Sequence, residues 1–292
     1  MSTATPAQRQ FKRFIGYPLE AALVYALYGF FKLLPVDTAS AVGGFIGRSI
    51  GPRLGANKKA RRNLALALPD LSPEQQQEAI TGMWDNLGRV MAEYAHLGAF
   101  DASRVEVVGS EHVLGMQQQQ RPFIMAAGHF ANWEVLPVTI LRHGIDAQLI
   151  YRHANNPYVE KLMQHARSPG GTRFARKGVA GARSVHGALR NHEPIAMLVD
   201  QKHNRGLPIP FFGRPAMTAT AVAELALKYD APILMGWCER LDGARFRITM
   251  LPPLDVSSGN VEEVLTRMNA QLESWIRQRP AQWLWLHKRW SD

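Results

Sequence analysis

Residues Met125–Glu134, MAAGHFANWE, decide the fold that this sequence predicts. They overlap the run Phe123–Ala127 (FIMAA), which is short, apolar and followed by Gly128, as is typical of a strand buried in a sheet. The segment Trp133–Arg142 then has the composition of a helix. This part of the chain therefore predicts a strand, a turn that contains His129, and a helix.

The same alternation of strand and helix continues toward the carboxyl end. Further apolar or alternating runs indicate strands at Ala147–Tyr151, Ile195–Val199, Pro232–Cys238 and Arg245–Leu251. Helical segments lie between or after them, at Pro157–Arg167, Gly181–Arg190, Thr220–Lys228 and Val261–Arg277. This order predicts the α/β class, with a mixed, largely parallel sheet flanked by helices.

The first hundred residues have a helical pattern instead. Ser72, followed by Pro and Glu, is an amino-terminal cap signal for a helix that runs from Glu74 to about Phe100. Arg61–Leu68 predicts a shorter helix that Pro69 ends. Beyond this region, Gln117–Gln120 is expected to be a polar loop.

An apolar stretch near the amino terminus bears on location. Leu19–Leu34 is apolar except for Glu20 and Lys32, and is shorter than the roughly 20 residues of a membrane span. Basic residues flank it at Arg9, Lys12 and Arg13, and at Arg48, Arg53, Lys58, Lys59, Arg61 and Arg62. Both flanks favour the same side of a membrane, which indicates an interfacial helix or a re-entrant pair with Ala39–Ile50 as its second arm. The alternative is a helix buried in the core.

Length, composition and charge limit the number of domains and the kind of partner. The 292 residues suit one large domain with a terminal element, and we assign 1–60 to a membrane-associating helical segment and 61–292 to the α/β domain. An apolar content of 46% excludes global disorder. Lys and Arg outnumber Asp and Glu by 34 to 24, a net charge of +10. The expected partner is therefore acidic: nucleic acid, anionic lipid, a phosphorylated substrate or an acidic carrier protein.

Several functional classes lack their signature in this sequence. It contains no G-x-G-x-x-G, no P-loop and no G-x-S-x-G. Cys238 is the single cysteine, which excludes an internal disulfide, and neither H-E-x-x-H nor a Cys/His ligand spacing is present. We therefore expect no metal, no cofactor and a buried, inert thiol at Cys238. No nucleic-acid-binding motif accompanies the positive charge, so no nucleic-acid partner is expected.

His129 and Glu134 form the candidate catalytic pair. On one ideal helix a five-residue spacing turns two side chains about 140° apart. His129 precedes the helix, however, and Asn132 is placed to cap it, so the two side chains can converge. A carboxylate beside an imidazole fixes its tautomer, and such a histidine can remove a proton from an alcohol. The alternative is a structural histidine that caps a helix.

The chain resembles the late acyltransferases of lipid A biosynthesis, within the lysophospholipid acyltransferase superfamily. The resemblance rests on stretches in the family's order: His129–Glu134 (the H-x4-[DE] box), Tyr151-Arg152 with Asn156-Pro157, Asp200-Gln201, Pro210–Thr218 and Trp283–Arg289. It implies a glycerolipid acyltransferase-like fold. It also implies transfer of a fatty acyl chain from acyl carrier protein to a hydroxyl of a lipid A precursor, at the cytoplasmic face of the bacterial inner membrane. The alternative acceptor is another lipid: a glycerolipid, an ornithine lipid or a glycolipid.

The resemblance assigns roles to individual residues. His129 would be the general base and Glu134 its orienting partner, with Asp200 as a further catalytic residue. Residues implied to bind substrate are Arg167, Arg152, Arg176, Gln201 and Phe212. Arg167 would either stabilise an oxyanion or bind a phosphate, and Arg176 competes with it because Ser168–Thr172 resembles a local insertion. The apolar run before Asp200 independently places this acid at the end of a strand.

Overall fold

A computed structural model describes residues 5, 10–151, 153–167, 173–175, 179–257 and 259–290. Its helices are α1 (Tyr17–Leu33), α2 (Val36–Ile50), α3 (Ala56–Ala67), α4 (Pro73–Glu93), α5 (Ser110–Gln118), α6 (Val135–Arg142), α7 (Pro157–Arg167), α8 (Val179–Arg190), α9 (Ala221–Tyr229) and α10 (Val261–Gln278). Its strands are β1 (Val105–Val108), β2 (Ile124–Ala127), β3 (Gln148–Ile150), β4 (Arg173–Ala175), β5 (Ile195–Leu198), β6 (Lys202–Phe211), β7 (Arg214–Thr218), β8 (Ile233–Arg240) and β9 (Phe246–Leu254).

One sheet organises the molecule, with the strand order β1-β9-β8-β2-β5-β3-β4. Neighbouring strands are parallel except for the antiparallel pair β8 and β9. The predicted class, a mixed and largely parallel sheet flanked by helices, is confirmed. β6 and β7 form a separate antiparallel hairpin. In the centre, Ala127 of β2 lies opposite Leu198 of β5, so both strands end at the same edge.

The two faces of the sheet bury separate apolar clusters. Ile124 and Ala126 of β2 join one cluster, which includes residues of α9 and α10. Met125, which points to the other face, joins a second cluster with Val135 and Leu136 of α6. Because both faces are covered, β2 is apolar throughout rather than alternating, as its sequence indicated.

The amino-terminal helices differ in how they are packed. Within the described residues, the helix Lys12–Leu33 is long and apolar enough to cross a membrane, and 11% of its apolar window is buried. In α1 itself only Ala21 and Phe31 are buried, so this helix is not part of the core. The predicted boundary after residue 60 falls inside α3.

α2 packs closely on α4 through glycines. A Cβ added to Gly47 would lie 2.1 Å from the carbonyl oxygen of Trp84, and one added to Gly43 would lie 2.4 Å from that of Gly88. Glycines by themselves weaken a helix. Here they let two helix backbones approach, and this contact offsets their low helix propensity.

Several elements differ from the prediction. The α4 capping box is present, with Ser72 Oγ accepting from the Gln75 amide at 3.3 Å, but the helix ends at Glu93 and a 3-10 segment, Tyr94–Ala99, follows. Gln117 and Gln118 belong to α5 rather than to a loop. The edge strands β1 and β4 were not predicted, because three- and four-residue strands carry little periodicity. The β6–β7 hairpin was not predicted either.

Candidate active site

The candidate site lies where β2 and β5 end. His129 and Asp200 each stand two residues beyond the last residue of their strand, so the parallel pairing brings them together. His129 Nδ1 lies 2.7 Å from Asp200 Oδ1, and the His129 amide donates to Asp200 Oδ2 at 2.8 Å. Trp283 Nε1 donates to the same Oδ2 at 2.8 Å. Asp200 is buried, whereas 12% of the His129 side chain is exposed.

The environment of Asp200 keeps this carboxylate ionised. Burial by itself raises the pKa of Asp200, but the charge of His129 and the hydrogen bonds from His129 and Trp283 hold that pKa below its usual range. An ionised carboxylate only accepts hydrogen bonds, so Nδ1 of His129 is the protonated ring nitrogen. This tautomer leaves the lone pair on Nε2, which is what a general base requires.

Gln201 supports the same tautomer from the other side of the ring. Its Nε2 lies 3.0 Å from His129 Nε2 and 2.9 Å from His287 Nε2. Because an amide nitrogen only donates, both imidazoles accept at Nε2. Burial and the nearby charge of His129 lower the pKa of His287 to about 4, so its ring is neutral at pH 7. The sequence indicated Gln201 but gave His287 no role beyond its place in the terminal motif.

Glu134 does not take the position predicted for it. Both of its oxygens bind Arg167, which donates through Nε at 2.7 Å and through Nη2 at 2.6 Å. The carboxylate that orients His129 is Asp200, which lies 71 residues along the chain. The nearest acid in sequence was expected to be the partner, but the pairing of β2 with β5 supplies a closer one.

Arg167 is the buried cation of the site. Its guanidinium lies over the rings of Tyr94, Tyr151 and Phe174, at 5.7, 5.1 and 5.6 Å from their centroids. Burial opposes the charged form, but the Glu134 carboxylate outweighs it and keeps the pKa of Arg167 above its usual value. Nη1 is buried and has no hydrogen-bond partner among the residues that the structure describes. The group is therefore charged, fixed in place and not fully satisfied.

An apolar cavity of about 100 Å³ opens beside this ion pair. It lies between the sheet and α6, where its lining includes Met125, Leu136, Ile140, Met197 and Met250. Trp133, Glu134, Tyr151 and Arg167 also contribute to the wall. An apolar chain in this cavity would have its polar end near Arg167 and the His129 turn.

A buried hydrogen-bond network holds the turn that carries His129. Ala131 has a positive φ of 44°, a conformation that costs energy for a residue with a Cβ. Its amide donates to the Gln282 carbonyl at 2.8 Å, and its carbonyl accepts from Asn86 Nδ2 at 2.9 Å. Asn132 Oδ1 accepts from the Glu134 amide at 3.1 Å, but α6 begins at Val135 with Glu134 as its N-cap residue and has no side-chain cap hydrogen bond, so Asn132 shapes the turn before the helix and does not cap it as predicted.

The network continues to the amino-terminal helices through Glu93. This buried acid accepts from Asn132 Nδ2 at 2.8 Å, from Ser40 Oγ at 2.6 Å and from the guanidinium of Arg240. Ser40 belongs to α2 and Glu93 ends α4, so these helices help to fix the position of the turn. The sequence did not indicate Glu93 or Arg240, because their pairing joins residues 147 apart.

The other residues that the sequence singled out are Phe212, Arg152, Arg176 and Cys238. Phe212 packs in the same apolar cluster as Ile124 and is not among the residues that line the cavity, so its position gives no support to the predicted binding of substrate. Its backbone amide donates to Glu273 Oε1 at 2.7 Å. Arg152 and Arg176 lie outside the described residues. Cys238 is buried, as predicted, and burial raises the pKa of its thiol to about 12.

The tail, residues Trp283–Trp290, closes the site. Phe130 and Trp283 form an antiparallel bridge, and the Leu284 amide donates to the His129 carbonyl at 3.2 Å. Arg289 is buried and donates to the Met217 carbonyl and to Thr218 Oγ1, each at 2.9 Å. The aromatic residues of this motif therefore pack inside, and Arg289 anchors the tail instead of facing a lipid.

No metal site accompanies this arrangement in the described part of the chain, since no group of three His, Cys, Asp or Glu side chains there could hold an ion. The site is built from the side chains named above. They provide an imidazole whose Nε2 faces Gln201, an ionised acid behind it, a buried cation and an apolar cavity. Such a set can activate a hydroxyl for attack on an acyl group.

Comparisons with known proteins give a consistent result. The model of the bacterial lipid A biosynthesis acyltransferase family matches residues 9–292. The chain is 25% identical over 267 residues to the lipid A biosynthesis palmitoleoyltransferase of Escherichia coli (strain K12), covering 88% of this chain and 86% of that protein. It is 24% identical over 248 residues to the lauroyltransferase of the same organism, with 80% and 78% covered. It is also 23% identical over 269 residues to the phosphatidylinositol mannoside acyltransferase of Mycolicibacterium smegmatis, with 89% and 87% covered.

Proposed function

Because this chain belongs to the bacterial lipid A biosynthesis acyltransferase family and is an acyltransferase, we propose that it moves a fatty acyl chain from acyl carrier protein to a hydroxyl of a lipid A precursor. The reaction takes place at the cytoplasmic face of the bacterial inner membrane. The observation that carries the proposal is the hydrogen bond of 2.7 Å between His129 Nδ1 and Asp200. It fixes the tautomer in which Nε2 can accept a proton.

The proton transfer runs through His129. An acceptor hydroxyl takes the place of the Gln201 amide at Nε2 and gives its proton to the ring as its oxygen bonds to the thioester carbonyl carbon. The resulting imidazolium is stabilised by ionised Asp200. When the tetrahedral intermediate collapses, the C–S bond breaks and the thiolate takes the proton from His129. The products are the acyl ester and the free carrier thiol.

Glu134 and Arg167 take no part in the proton transfer and have a separate role. Glu134 holds the Arg167 guanidinium in a bidentate pair, so we assign Glu134 the positioning of Arg167 rather than of His129. Arg167 stabilises negative charge on the substrate, either the oxyanion or a phosphate. Arg152 and Arg176 remain candidates for binding substrate phosphates.

The apolar cavity and the amino-terminal helix account for the lipid character of the substrates. The cavity beside Arg167 receives part of the donor acyl chain, because its wall is almost entirely apolar. α1 keeps large apolar residues exposed, among them Leu19, Leu23, Leu27, Phe30 and Leu33. These side chains attach the enzyme to the membrane that contains the acceptor.

A second acceptor class has specific support. One relative of this chain is named for acyl transfer to a phosphatidylinositol mannoside, which is a glycolipid without the lipid A disaccharide. Both acceptors carry a phosphate, acyl chains and a hydroxyl that can be acylated. That hydroxyl belongs to a sugar or to an acyl chain. Incubation of the purified enzyme with acyl carrier protein and each acceptor, followed by mass spectrometry of the lipids, separates the two.

Substitution of the proposed base tests the mechanism. His129→Ala removes the group that accepts the proton, and we expect kcat to fall by at least about 10²–10⁴-fold, the usual contribution of a general base. The measurement is acyl transfer from the carrier protein to the lipid acceptor by the purified variant, with its melting temperature compared with that of the wild type. A folded variant that retains near wild-type transfer contradicts the proposal.

A further inference from the structure

Three segments that are distant in sequence meet around His129 and His287. Asn63 of α3 donates to the Trp285 and His287 carbonyls at 2.7 and 2.5 Å, which fixes α3 against the tail. Gln201, which directly precedes the β6–β7 hairpin, contacts both histidines. The mouth of the site is therefore bordered by α3, the hairpin and the tail.

The charged residues of these three segments are all basic. Residues 56–67, 201–218 and 279–290 contain no Asp and no Glu. Several lysines and arginines of these segments are at least partly exposed to solvent. We call six of them the basic rim: Lys58, Lys59, Arg62, Lys202, Arg205 and Lys288. A border of one sign around a partly buried site attracts a partner of opposite charge and raises its rate of association.

The basic rim is close enough to the site to act on it. Asn63 places α3 directly beside His287, and Lys59 lies one helical turn before Asn63 on the same side of α3. The charge of Lys59 contributes to the lowered pKa of His287. A partner that binds here therefore lies next to the reacting groups.

The apolar surface of the molecule lies elsewhere. Most of the described large apolar residues that are exposed lie in the first 54 residues. Of the same set, Leu207 alone lies in the three border segments, all of which the structure describes. A surface that enters a bilayer needs exposed apolar side chains, which α1 and α2 supply. A charged border without them is typical of contact with a soluble acidic protein, because such contacts depend on complementary charge.

We infer that the basic rim is the docking surface for the acidic carrier protein that delivers the acyl thioester to His129. This inference rests on the proposed function, in which the donor is a carrier protein. The rim binds the body of the carrier, and the thioester arm then reaches the site between the tail and the hairpin. The membrane-facing helices remain available to the lipid acceptor.

Charge reversal on the rim tests the inference in the full-length protein. The variants are Lys58→Glu and Arg205→Glu, which lie on two different border segments and outside the hydrogen-bonded site. We expect each to raise the Kd of the acyl carrier protein by about tenfold, and the wild-type Kd to rise in about 0.5 M salt, since exposed charges are screened there. Fluorescence anisotropy with a labelled carrier protein measures the Kd.

A matched control is available at the other edge of the sheet. Arg190 is exposed at the end of α8, shortly before β5 begins, so Arg190→Glu makes the same charge change far from the site. We expect its Kd for the carrier to stay within about twofold of the wild type.

The outcomes separate the inference from the proposed function. If the rim variants bind the carrier like the wild type, or if only their KM for the lipid acceptor rises, the rim binds acceptor phosphates or nothing, and the inference is overturned. If the wild type binds the carrier through the rim but transfers no acyl group, the inference stands and the proposed function fails. If the control weakens binding as much as the rim variants do, the effect is one of net charge and the docking surface is not at the rim.

Discussion

At the scale of single residues, the site depends on an acid that is far from the histidine in sequence. Asp200→Asn keeps the size of the side chain but removes the charge that stabilises the imidazolium in the proposed mechanism. It also allows the wrong tautomer of His129. We expect kcat to fall by about 10³-fold or more, with a smaller change in KM. Steady-state kinetics of the purified variant check this, and a decrease below tenfold would show that Asp200 is structural.

The Glu134–Arg167 pair gives a prediction about stability. Glu134→Gln leaves a buried guanidinium without a carboxylate, which costs about 3–5 kcal/mol in the free energy of unfolding. Removing both charges with Glu134→Gln and Arg167→Met avoids that cost. Thermal melting should therefore show a large decrease for the single variant and a partial recovery for the double variant. Acyl transfer should stay low in both, because the proposed function requires a correctly positioned Arg167 to stabilise negative charge on the substrate. Equal melting temperatures for the two variants would contradict this account.

His287 makes stability depend on pH. Its pKa is lowered from 6.5 to about 4 by burial, so the unfolded chain binds a proton that the folded chain does not. The free energy of unfolding therefore falls as the pH decreases from 6.5 toward 4, by at most about 3 kcal/mol for this group. Melting temperatures between pH 7 and 4.5 measure the effect.

His287→Gln supplies the comparison, since glutamine does not titrate. Across the same pH range, the melting temperature of the variant should fall by less than that of the wild type. Parallel curves for the two proteins would show that His287 does not titrate in this way.

At the scale of elements, the contact between α2 and α4 depends on the absence of side chains. Gly47→Ala places a methyl group where the Trp84 carbonyl oxygen is only 2.1 Å away, so the helices must separate. We expect a loss of about 1–3 kcal/mol, the usual range for overpacking. Gly29→Ala on α1 is the control: nothing lies within 4 Å of its added Cβ, so the better helix propensity should leave stability equal or higher. Chemical denaturation of both variants tests the difference in sign.

The elements also show how much the sequence can predict. β2, β5, β8 and the helices near them have clear apolar patterns, so the sheet and the place of His129 at its edge were predictable. The order of strands was not, since it arises from packing between distant segments. The partner of His129 depends on that order: β5 lies beside β2, and this alone makes Asp200 the orienting acid. Glu93 and Arg240 have no local pattern for the same reason.

At the scale of the whole molecule, the exposed apolar side chains of α1 lie on a different segment from the basic rim. Leu19 and Leu23 are 66% and 62% exposed, on a helix that the fold itself does not need to bury. Leu19→Asp with Leu23→Asp should therefore weaken binding to anionic lipid vesicles by about tenfold or more while leaving the melting temperature nearly unchanged. Co-sedimentation with vesicles measures the binding.

Leu241 provides a matched control for that measurement. It is 47% exposed in the turn after β8, far in sequence from α1. Leu241→Asp should sediment with vesicles like the wild type. If it weakens binding as much as the α1 variant does, membrane attachment does not depend on α1.

The docking of the tail has a consequence for how the enzyme becomes active during synthesis. Trp283 donates to Asp200 and Leu284 to the His129 carbonyl, yet both follow every strand of the sheet in the order of translation. A nascent chain that already contains the imidazole still lacks the last wall around it. The arrangement around His129 is therefore complete only after residues 283 and 284 have been synthesised, later than every strand of the sheet.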